Sequence, residues 1–292
     1  MNTQILGDKP KRNRIPYGAD IHNKRYAERP DVKPEGNQAI TPKQELETSE
    51  GIIQPTNIPT PASINPKEYI QLPQTNIVIA RIEPDWTKGF NYEDTHRKLL
   101  EQGHFMPTPV IFMQYFNQVI NAYNSKNQLY DATGNSLSKE EIEAIYRHLT
   151  SDHINGGAWS WLNATFLRKS KKQLNLETII GINQNGDLIK VQNPLTQTLE
   201  EECYIDFTNL NSQGLPNKNA EHSNQDYEQG SNLYFYPPTE DTVAWFNANS
   251  DRANLVCDVN PGNRNDFSLF SLGVFASLRS KRSTSQNSGG SK

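Results

Sequence analysis

Cysteine is scarce in this chain of 292 residues, which contains only Cys203 and Cys257. Two cysteines cannot form a disulfide framework, and without histidine partners they cannot complete a four-ligand zinc site. The six histidines of the chain show no spacing typical of metal ligands. We therefore expect no metal, no cofactor, and a fold stabilised by an ordinary hydrophobic core.

Long apolar runs are also missing from the sequence. No run approaches the roughly 18 residues that a membrane-spanning helix needs. The opening segment MNTQILGDKPKRNRIPYG lacks the apolar stretch of a signal peptide. These absences predict a protein that has no membrane partner and is cytoplasmic or associated with a virion.

An excess of positive charge is missing as well. The net charge is −4 and the isoelectric point is near 5.9, so the chain has no global electrostatic attraction for nucleic acid. A basic cluster runs from Lys9 to Arg14, but acidic residues follow it closely. We interpret this cluster as a solvated charge run, and binding of nucleic acid through it is the less favoured alternative.

Motifs of catalysis are absent too. The sequence has no Gly-x-Gly-x-x-Gly, no phosphate-binding loop and no Gly-x-Ser-x-Gly elbow. The segment that begins at Asp131 resembles a calcium loop only in part, because Gly134 stands fourth in it rather than sixth. The sequence therefore predicts a protein that is not an enzyme.

Apolar residues make up only 34% of the chain, and the mean hydropathy is −0.77, so part of its length should lie outside a core. Residues 1–66 hold nine of the 18 prolines and neither Trp nor Phe. Such a segment buries too little apolar surface to offset the entropy of ordering it. We expect 1–66 to be a disordered Pro-rich arm that could bind a partner or assembly, and 279–292 to be a disordered tail.

Between these ends, residues 67–278 show helix patterns first and strand patterns afterwards, which predicts an α+β domain with segregated helices and short, mostly antiparallel strands. Capping signals favour three helices, including a capping box formed by Ser138 and Glu141. An Asn-Gly pair in NQNG predicts a hairpin between ETIIGI and DLIKVQ. We expect strands at EYIQL, NIVIARI, CYIDF, NLYFY and SLGVFASL, and a surface loop over residues 211–232.

Two tryptophans, Trp159 and Trp161, stand two positions apart in GGAWSW, on one face of any strand formed there. A buried core position is the favoured interpretation of this pair, and a platform for stacking bases is the alternative.

The sequence WFNANSDRANLVCDVNPGNRNDFSLFSLGVF, which starts at Trp245, places an Asn-rich run before an apolar segment. Its order of Trp, Arg-Ala, Asn-Pro, Asn-Arg-Asn and Leu-Gly-Val-Phe resembles the C-terminal pattern of a C-type lectin fold. Formylglycine-generating-enzyme-like domains and the variable proteins of diversity-generating retroelements share that fold. Val243-Ala244 replaces the usual Gly-Gly, and no Arg directly follows Gly273.

The resemblance implies that a retroelement rewrites Asn codons in a variable region at about 245–275, on a fixed scaffold. Short polar and aromatic side chains on such a frame suit recognition of a protein or glycan. The implied scaffold residues are Trp245, Ala253, Leu255, Leu272, Gly273 and Phe275. The implied ligand-binding residues, with Phe246 and Phe267 as anchors, are Phe246, Asn247, Asn249, Asp251, Asn254, Val256, Asp258, Asn260, Asn263, Asn265, Asp266 and Phe267.

The expected function is thus a ligand-binding display protein, with a phage or viral receptor-binding role as one setting. Two alternatives stay open. The Asn-rich run is also compatible with a plain lectin-like surface loop, since Asn is common in turns. A formylglycine-generating-type oxidase would need a close reactive cysteine pair and a bound metal, and only Cys203 and Cys257 are present.

Overall fold

The computed structural model describes residues 65–150, 157–170, 173–207, 209–219, 226–248, 252–261 and 274–279. They form a mixed α/β structure with three α-helices and two mostly antiparallel sheets. Most of the predicted arm 1–66 and of the predicted tail 279–292 lies outside the described residues. Of the arm, Asn65 and Pro66 are described, and a short 3₁₀ helix spans Pro66–Glu68. Of the tail, Arg279 is described, at the end of the last strand. In the described part of the chain, no helix has both the length and the hydropathy needed to span a membrane.

Three helices begin where the sequence supplies capping groups. Helix α1 spans Tyr92–Glu101, helix α2 spans Pro109–Tyr123 and helix α3 spans Lys139–Thr150. At α3 the predicted capping box is confirmed, because Glu141 N donates to Ser138 Oγ at 3.2 Å and Ser138 N donates to Glu141 Oε2 at 2.8 Å. Gly103 follows α1 with a φ of 73°, which glycine adopts without strain.

A small sheet joins the two ends of the described chain. Strands β1, Tyr69–Gln71, and β2, Ile77–Ala80, pair antiparallel, and β10, Ser277–Arg279, pairs with the other edge of β2. In the described part of the predicted strand SLGVFASL, only Ser277 and Leu278 belong to β10, and residues 271–273 lie outside the described residues. Val274, Phe275 and Ala276 before it are buried without belonging to the strand.

The large sheet contains the strands β3 Trp159–Ser170, β4 Gln173–Ile182, β5 Leu188–Pro194, β6 Cys203–Ile205, β7 Leu233–Tyr236, β8 Thr242–Ala248 and β9 Ala253–Val259. Their order across the sheet is β5-β4-β3-β8-β9-β7-β6, and among these described strands only β7 and β9 run parallel. The predicted hairpin is confirmed as the β4–β5 pair. Near β3, a Cβ on Gly157 would come within 1.9 Å of the Ala248 oxygen, so this close approach needs glycine.

Two apolar clusters lie on opposite sides of the large sheet. The inner side packs on α2 and α3 through residues such as Phe112, Phe166 and Phe246. The outer side packs on α1 and the small sheet through residues such as Trp161 and Val256. The central strands thus bury apolar side chains on both sides, which explains why their sequences show no simple alternation of polarity.

One sequence expectation is corrected by this fold. The Asn-rich run was expected to be a surface segment, yet its first part forms the central strands β8 and β9. The described residues of segment 211–232, which was expected to be a surface loop, form neither a helix nor an extended strand, and most of them are exposed or half-buried. Leu215 and Asn232 are buried within it.

Candidate functional site

Strand register assigns the residues of β8 and β9 to the two sides of the large sheet. Trp245 lies opposite Val256, and Asn247 lies opposite Asn254. Val256 belongs to the outer cluster, so these two pairs occupy the outer side of the sheet. Phe246 lies between them in sequence and points to the inner side, because successive side chains of a strand alternate.

The same register gathers aromatic side chains on the outer side of neighbouring strands. Trp159 pairs with Asn247, Trp161 pairs with Trp245, and Tyr234 lies beside Asn254. Tyr236 on β7 lies beside Val256, and Tyr204 on β6 lies beside Tyr234. We call this surface the aromatic face; its half-buried members are Trp159, Tyr204, Tyr234, Tyr236 and Trp245, and Trp161 lies fully buried beside them.

Ring contacts hold this face together. The Trp159 and Trp245 rings meet edge to face with centroids 5.5 Å apart, and Trp161 lies 6.0 Å from Trp245. The Tyr234 ring lies 4.9 Å from Tyr204 and 5.0 Å from Tyr236. Edge-to-face and tilted contacts at these distances are favourable for aromatic pairs. The face is therefore a preformed surface of rigid rings.

Arg252 adds a positive charge to the aromatic face. Its guanidinium lies 4.2 Å from the centre of the Tyr234 ring and donates a hydrogen bond of 2.8 Å to the Tyr236 hydroxyl. Burial, and then the Glu202 carboxylate, raises the pKa of Tyr234 to about 12. Tyr234 therefore stays neutral at physiological pH and can act as a hydrogen-bonding group.

Two polar atoms at this face lack hydrogen-bond partners among the described residues. They are the Trp245 Nε1–H, which can only donate, and the Asn254 Oδ1, which can only accept. Asn254 is only 3% exposed, and its amide nitrogen donates to Asn247 Oδ1 at 2.5 Å. Buried polar atoms are usually paired because an unpaired one costs about 1–3 kcal/mol. An unpaired donor and acceptor beside aromatic rings suit a ligand that supplies both groups.

The structure corrects the predicted ligand-binding residues in part. Phe246, chosen as an anchor, is fully buried on the inner side and cannot touch a ligand. Asn247, Asn254 and Val256 were expected to be exposed and are buried, because half-buried rings of the aromatic face surround them. Asp258 is half-buried and Asn260 is exposed. The remaining predicted residues lie outside the described part of the chain: Asn249, Asp251, Asn263, Asn265, Asp266 and Phe267.

The predicted scaffold residues fall into three groups: buried, half-buried and outside the described residues. Ala253, Leu255 and Phe275 are fully buried, as a scaffold requires. Trp245 is half-buried on the aromatic face, so part of its side chain is accessible. Leu272 and Gly273 lie outside the described residues. In this part of the sequence the burial of Trp245 and Phe246 is the reverse of that predicted.

Sequence reasoning missed the tyrosines of β6 and β7 and the role of Arg252. The alternation in CYIDF and NLYFY was a usable signal, because it places Tyr204, Tyr234 and Tyr236 on the side opposite Ile205 and Phe235. The parallel pairing of β7 with β9, which joins these tyrosines to the Asn-rich run, leaves no such signal.

Neither cysteine resembles an activated thiol. Both are free, and Cys257 is fully buried on the inner side of the sheet. Burial, and then the Asp258 carboxylate, raises the pKa of Cys257 well above its ordinary value. Burial, and then Glu201, also raises the pKa of Cys203. Reactive cysteines need a lowered pKa, so these environments give no support to the oxidase alternative.

Neither clustered metal ligands among the described residues nor a known relative indicates a function for this chain. Among the described residues, no group of three or more His, Cys, Asp or Glu side chains is placed to hold a metal ion. No family model, no curated protein and no solved structure matches the chain.

Proposed function

We propose that this protein is a ligand-binding display protein without catalytic activity. Its aromatic face recognises a protein or glycan target, and a retroelement diversifies the Asn-rich segment that contributes to that face. The domain is proposed to have a C-type lectin fold, with residues 1–66 as a tether to a partner or a larger assembly.

The observation that carries the proposal is the unpaired donor and acceptor on the aromatic face. Trp245 Nε1–H and Asn254 Oδ1 are buried from solvent, and no described residue forms a hydrogen bond with either atom. Rigid rings flank them and lose little entropy on contact, which is typical of recognition surfaces. Sugar hydroxyls and peptide amides both offer a donor and an acceptor, so both target classes fit.

The position of the closing strand supports the proposed fold. A lectin-type domain needs its last strand in a sheet, and β10 pairs with β2 here. Phe275, in the predicted Leu-Gly-Val-Phe segment, is fully buried against Phe112 and Tyr115, with ring centroids 5.5 Å apart in each pair. Phe275 therefore serves as fixed structure at the end of the proposed variable region.

Among the described residues, fewer positions can vary than the sequence alone suggested. Asn260 and Asp258 can change without opening the core, since neither is buried. Asn247 and Asn254 can change while the fold persists only if their mutual hydrogen bond is replaced or both become apolar. Phe246 and Leu255 should stay fixed, because both are fully buried on the inner side.

Sequencing the same locus from sibling isolates tests the diversification. We expect substitutions to concentrate at Asn247, Asn254, Asp258 and Asn260, and to spare Phe246. Substitutions spread evenly over β8 and β9, or absent from the four asparagine and aspartate positions, would contradict the proposal.

Binding is tested with a glycan array and a displayed peptide library as probes. For any ligand found, Trp245→Phe should weaken affinity about tenfold, because it removes the Nε1–H and keeps an aromatic ring. Tyr123→Ala is the matched control, since Tyr123 is 41% exposed at the end of α2. Equal losses in both variants, or no loss in Trp245→Phe, would place recognition elsewhere.

A further inference from the structure

A recess separate from the aromatic face lies on the outer side of the large sheet, beside α1. It has a volume of about 400 Å³, which is within the range of small-molecule sites. The first turn of α1, the strands β3, β4 and β5, and the ends of β8 and β9 contribute to it. Its lining residues are Asn91, Tyr92, Glu93, Thr165, Leu167, Glu177, Lys190, Asp241 and Pro261.

The charges of this recess favour a cation. Glu93, Glu177 and Asp241 supply three carboxylates against the single ammonium of Lys190, so the lining carries a net charge of −2. Lys190 Nζ lies 2.9 Å from Glu93 Oε1 and 3.5 Å from Glu177 Oε1. Glu177 is only 6% exposed, so its carboxylate acts where solvent screens it weakly.

An unpaired hydroxyl provides an independent indication of a ligand. Tyr92 is 2% exposed, and its hydroxyl has no partner in hydrogen-bond geometry among the described residues. The Thr165 side chain and the Ala164 backbone are its polar neighbours and do not meet that geometry. Tyr92 and Leu167 also give the recess apolar walls. A ligand with one polar group for Tyr92 and an apolar body would satisfy both features.

We propose that this recess binds a small organic amine, with the ammonium group held by Glu177 and Glu93 and the apolar body against Tyr92 and Leu167. Lys190 occupies the same carboxylates in the free protein and competes with the ligand. This site is separate from the aromatic face and does not depend on the proposed display function.

The test uses three probes of similar shape: phenethylamine, which is positively charged, phenethyl alcohol, which is neutral, and phenylacetate, which is negatively charged. Binding to the full chain is followed by tryptophan fluorescence, because Trp161 lies 5.7 Å from Tyr92, and by the rise in melting temperature. We expect phenethylamine to bind at least tenfold more tightly than the alcohol, and phenylacetate to bind most weakly. Equal affinity for the three probes, or no saturable binding at about 10 mM, would overturn the proposal.

Variants separate binding from folding. Glu177→Gln should weaken amine binding about tenfold, and Lys190→Gln should strengthen it, because the competing cation is removed. If Lys190 had a purely structural role, Lys190→Gln would not bind the amine more tightly. Weaker amine binding in Lys190→Gln would therefore refute the site, even if Glu177→Gln fails to fold. Glu143→Gln on α3 is the matched control, and Trp245→Phe should leave amine binding unchanged.

Discussion

Trp245 and Phe246 are chain neighbours whose side chains serve opposite sides of the large sheet. The Phe246 ring lies 4.6 Å from the Phe112 ring and 5.5 Å from the Phe116 ring, in the cluster under α2. Trp245 instead lies half-buried on the aromatic face. Substitution of Phe246 should therefore affect the stability of the protein, and substitution of Trp245 should affect the proposed binding.

Phe246→Ala should lower the free energy of unfolding by about 3–5 kcal/mol, because it leaves a cavity at a fully buried site. Trp245→Phe should cost much less, since Trp245 is half-buried and a ring is retained. Urea denaturation of both variants measures the difference. A small loss in Phe246→Ala would show that the ring does not lie in the core.

His96 makes stability depend on pH. It is buried beside Tyr92 at a ring distance of 4.8 Å, and burial, and then Lys190, lowers its pKa from 6.5 to about 3. Between these two values the unfolded chain holds a proton that the folded chain excludes. The stabilisation is therefore complete above pH 6.5 and is lost as the pH falls towards 3, by up to about 1.4 kcal/mol per pH unit.

The His96→Phe variant checks this expectation, because it keeps an aromatic ring beside Tyr92 and removes the titration. Chemical denaturation over the acid range should give a steeper loss of stability in the wild type than in the variant. Carboxylates contribute equally to both proteins, so their effect cancels in the comparison. Identical slopes would mean that His96 does not titrate differently on folding.

At the scale of elements, helix caps and polar side chains form hydrogen bonds with backbone groups that have no backbone partner. Asn163, in the middle of β3, accepts from Ile179 N and donates to Ile179 O, each at 2.8 Å. The β3–β8 register shifts between Leu162 and Thr165, around this residue. Asn163 also begins the sequence Asn-Ala-Thr, but it is buried, so the folded protein would not accept a glycan there.

Ser138→Ala should lower the free energy of unfolding by about 1 kcal/mol, because it removes the acceptor that caps Glu141 N at the start of α3. Ser231→Ala, at an exposed serine before β7, is the control and should change stability by less than about 0.5 kcal/mol. Thermal unfolding of the two variants measures this difference. Equal midpoints would show that the capping box contributes nothing.

At the scale of the whole molecule, the fold is closed by its last described strand. β10 adds to β2, and Phe275 before it fills the cluster beneath α2. This closure ties residues from opposite ends of the described chain into one small sheet. The stability of the domain should therefore depend on a few residues near position 277.

A chain that ends at Val274 should lose at least about 4 kcal/mol relative to a chain that ends at Arg279, because Phe275 and the β10 pairing are both removed. Since domains of this size are marginally stable, we expect loss of the cooperative unfolding transition. Circular dichroism with thermal melting compares the two chains. Retention of the full transition in the shorter chain would show that β10 is dispensable.

Much of the helical part could be predicted because its signals are local. Ser138 and Glu141 lie three positions apart, and Thr108 precedes Pro109, so the starts of α3 and α2 are visible in the sequence. The candidate site could be predicted only in part. Asn247 and Asn254 form one hydrogen-bonded pair across two strands, and nothing in either segment alone indicates that partner.

The sequence by itself determined the helices, their caps and the β4–β5 hairpin, since these depend on residues within a few positions of one another. It also indicated that the segment from Trp245 carries unusual polar chemistry. Tertiary structure alone decided which residues of that segment face the core and which stay accessible. Strands β8 and β9 bury apolar side chains on both sides, so polarity does not alternate along them, and only pairing with β3 and β7 assigns Trp245 and Phe246 to opposite sides.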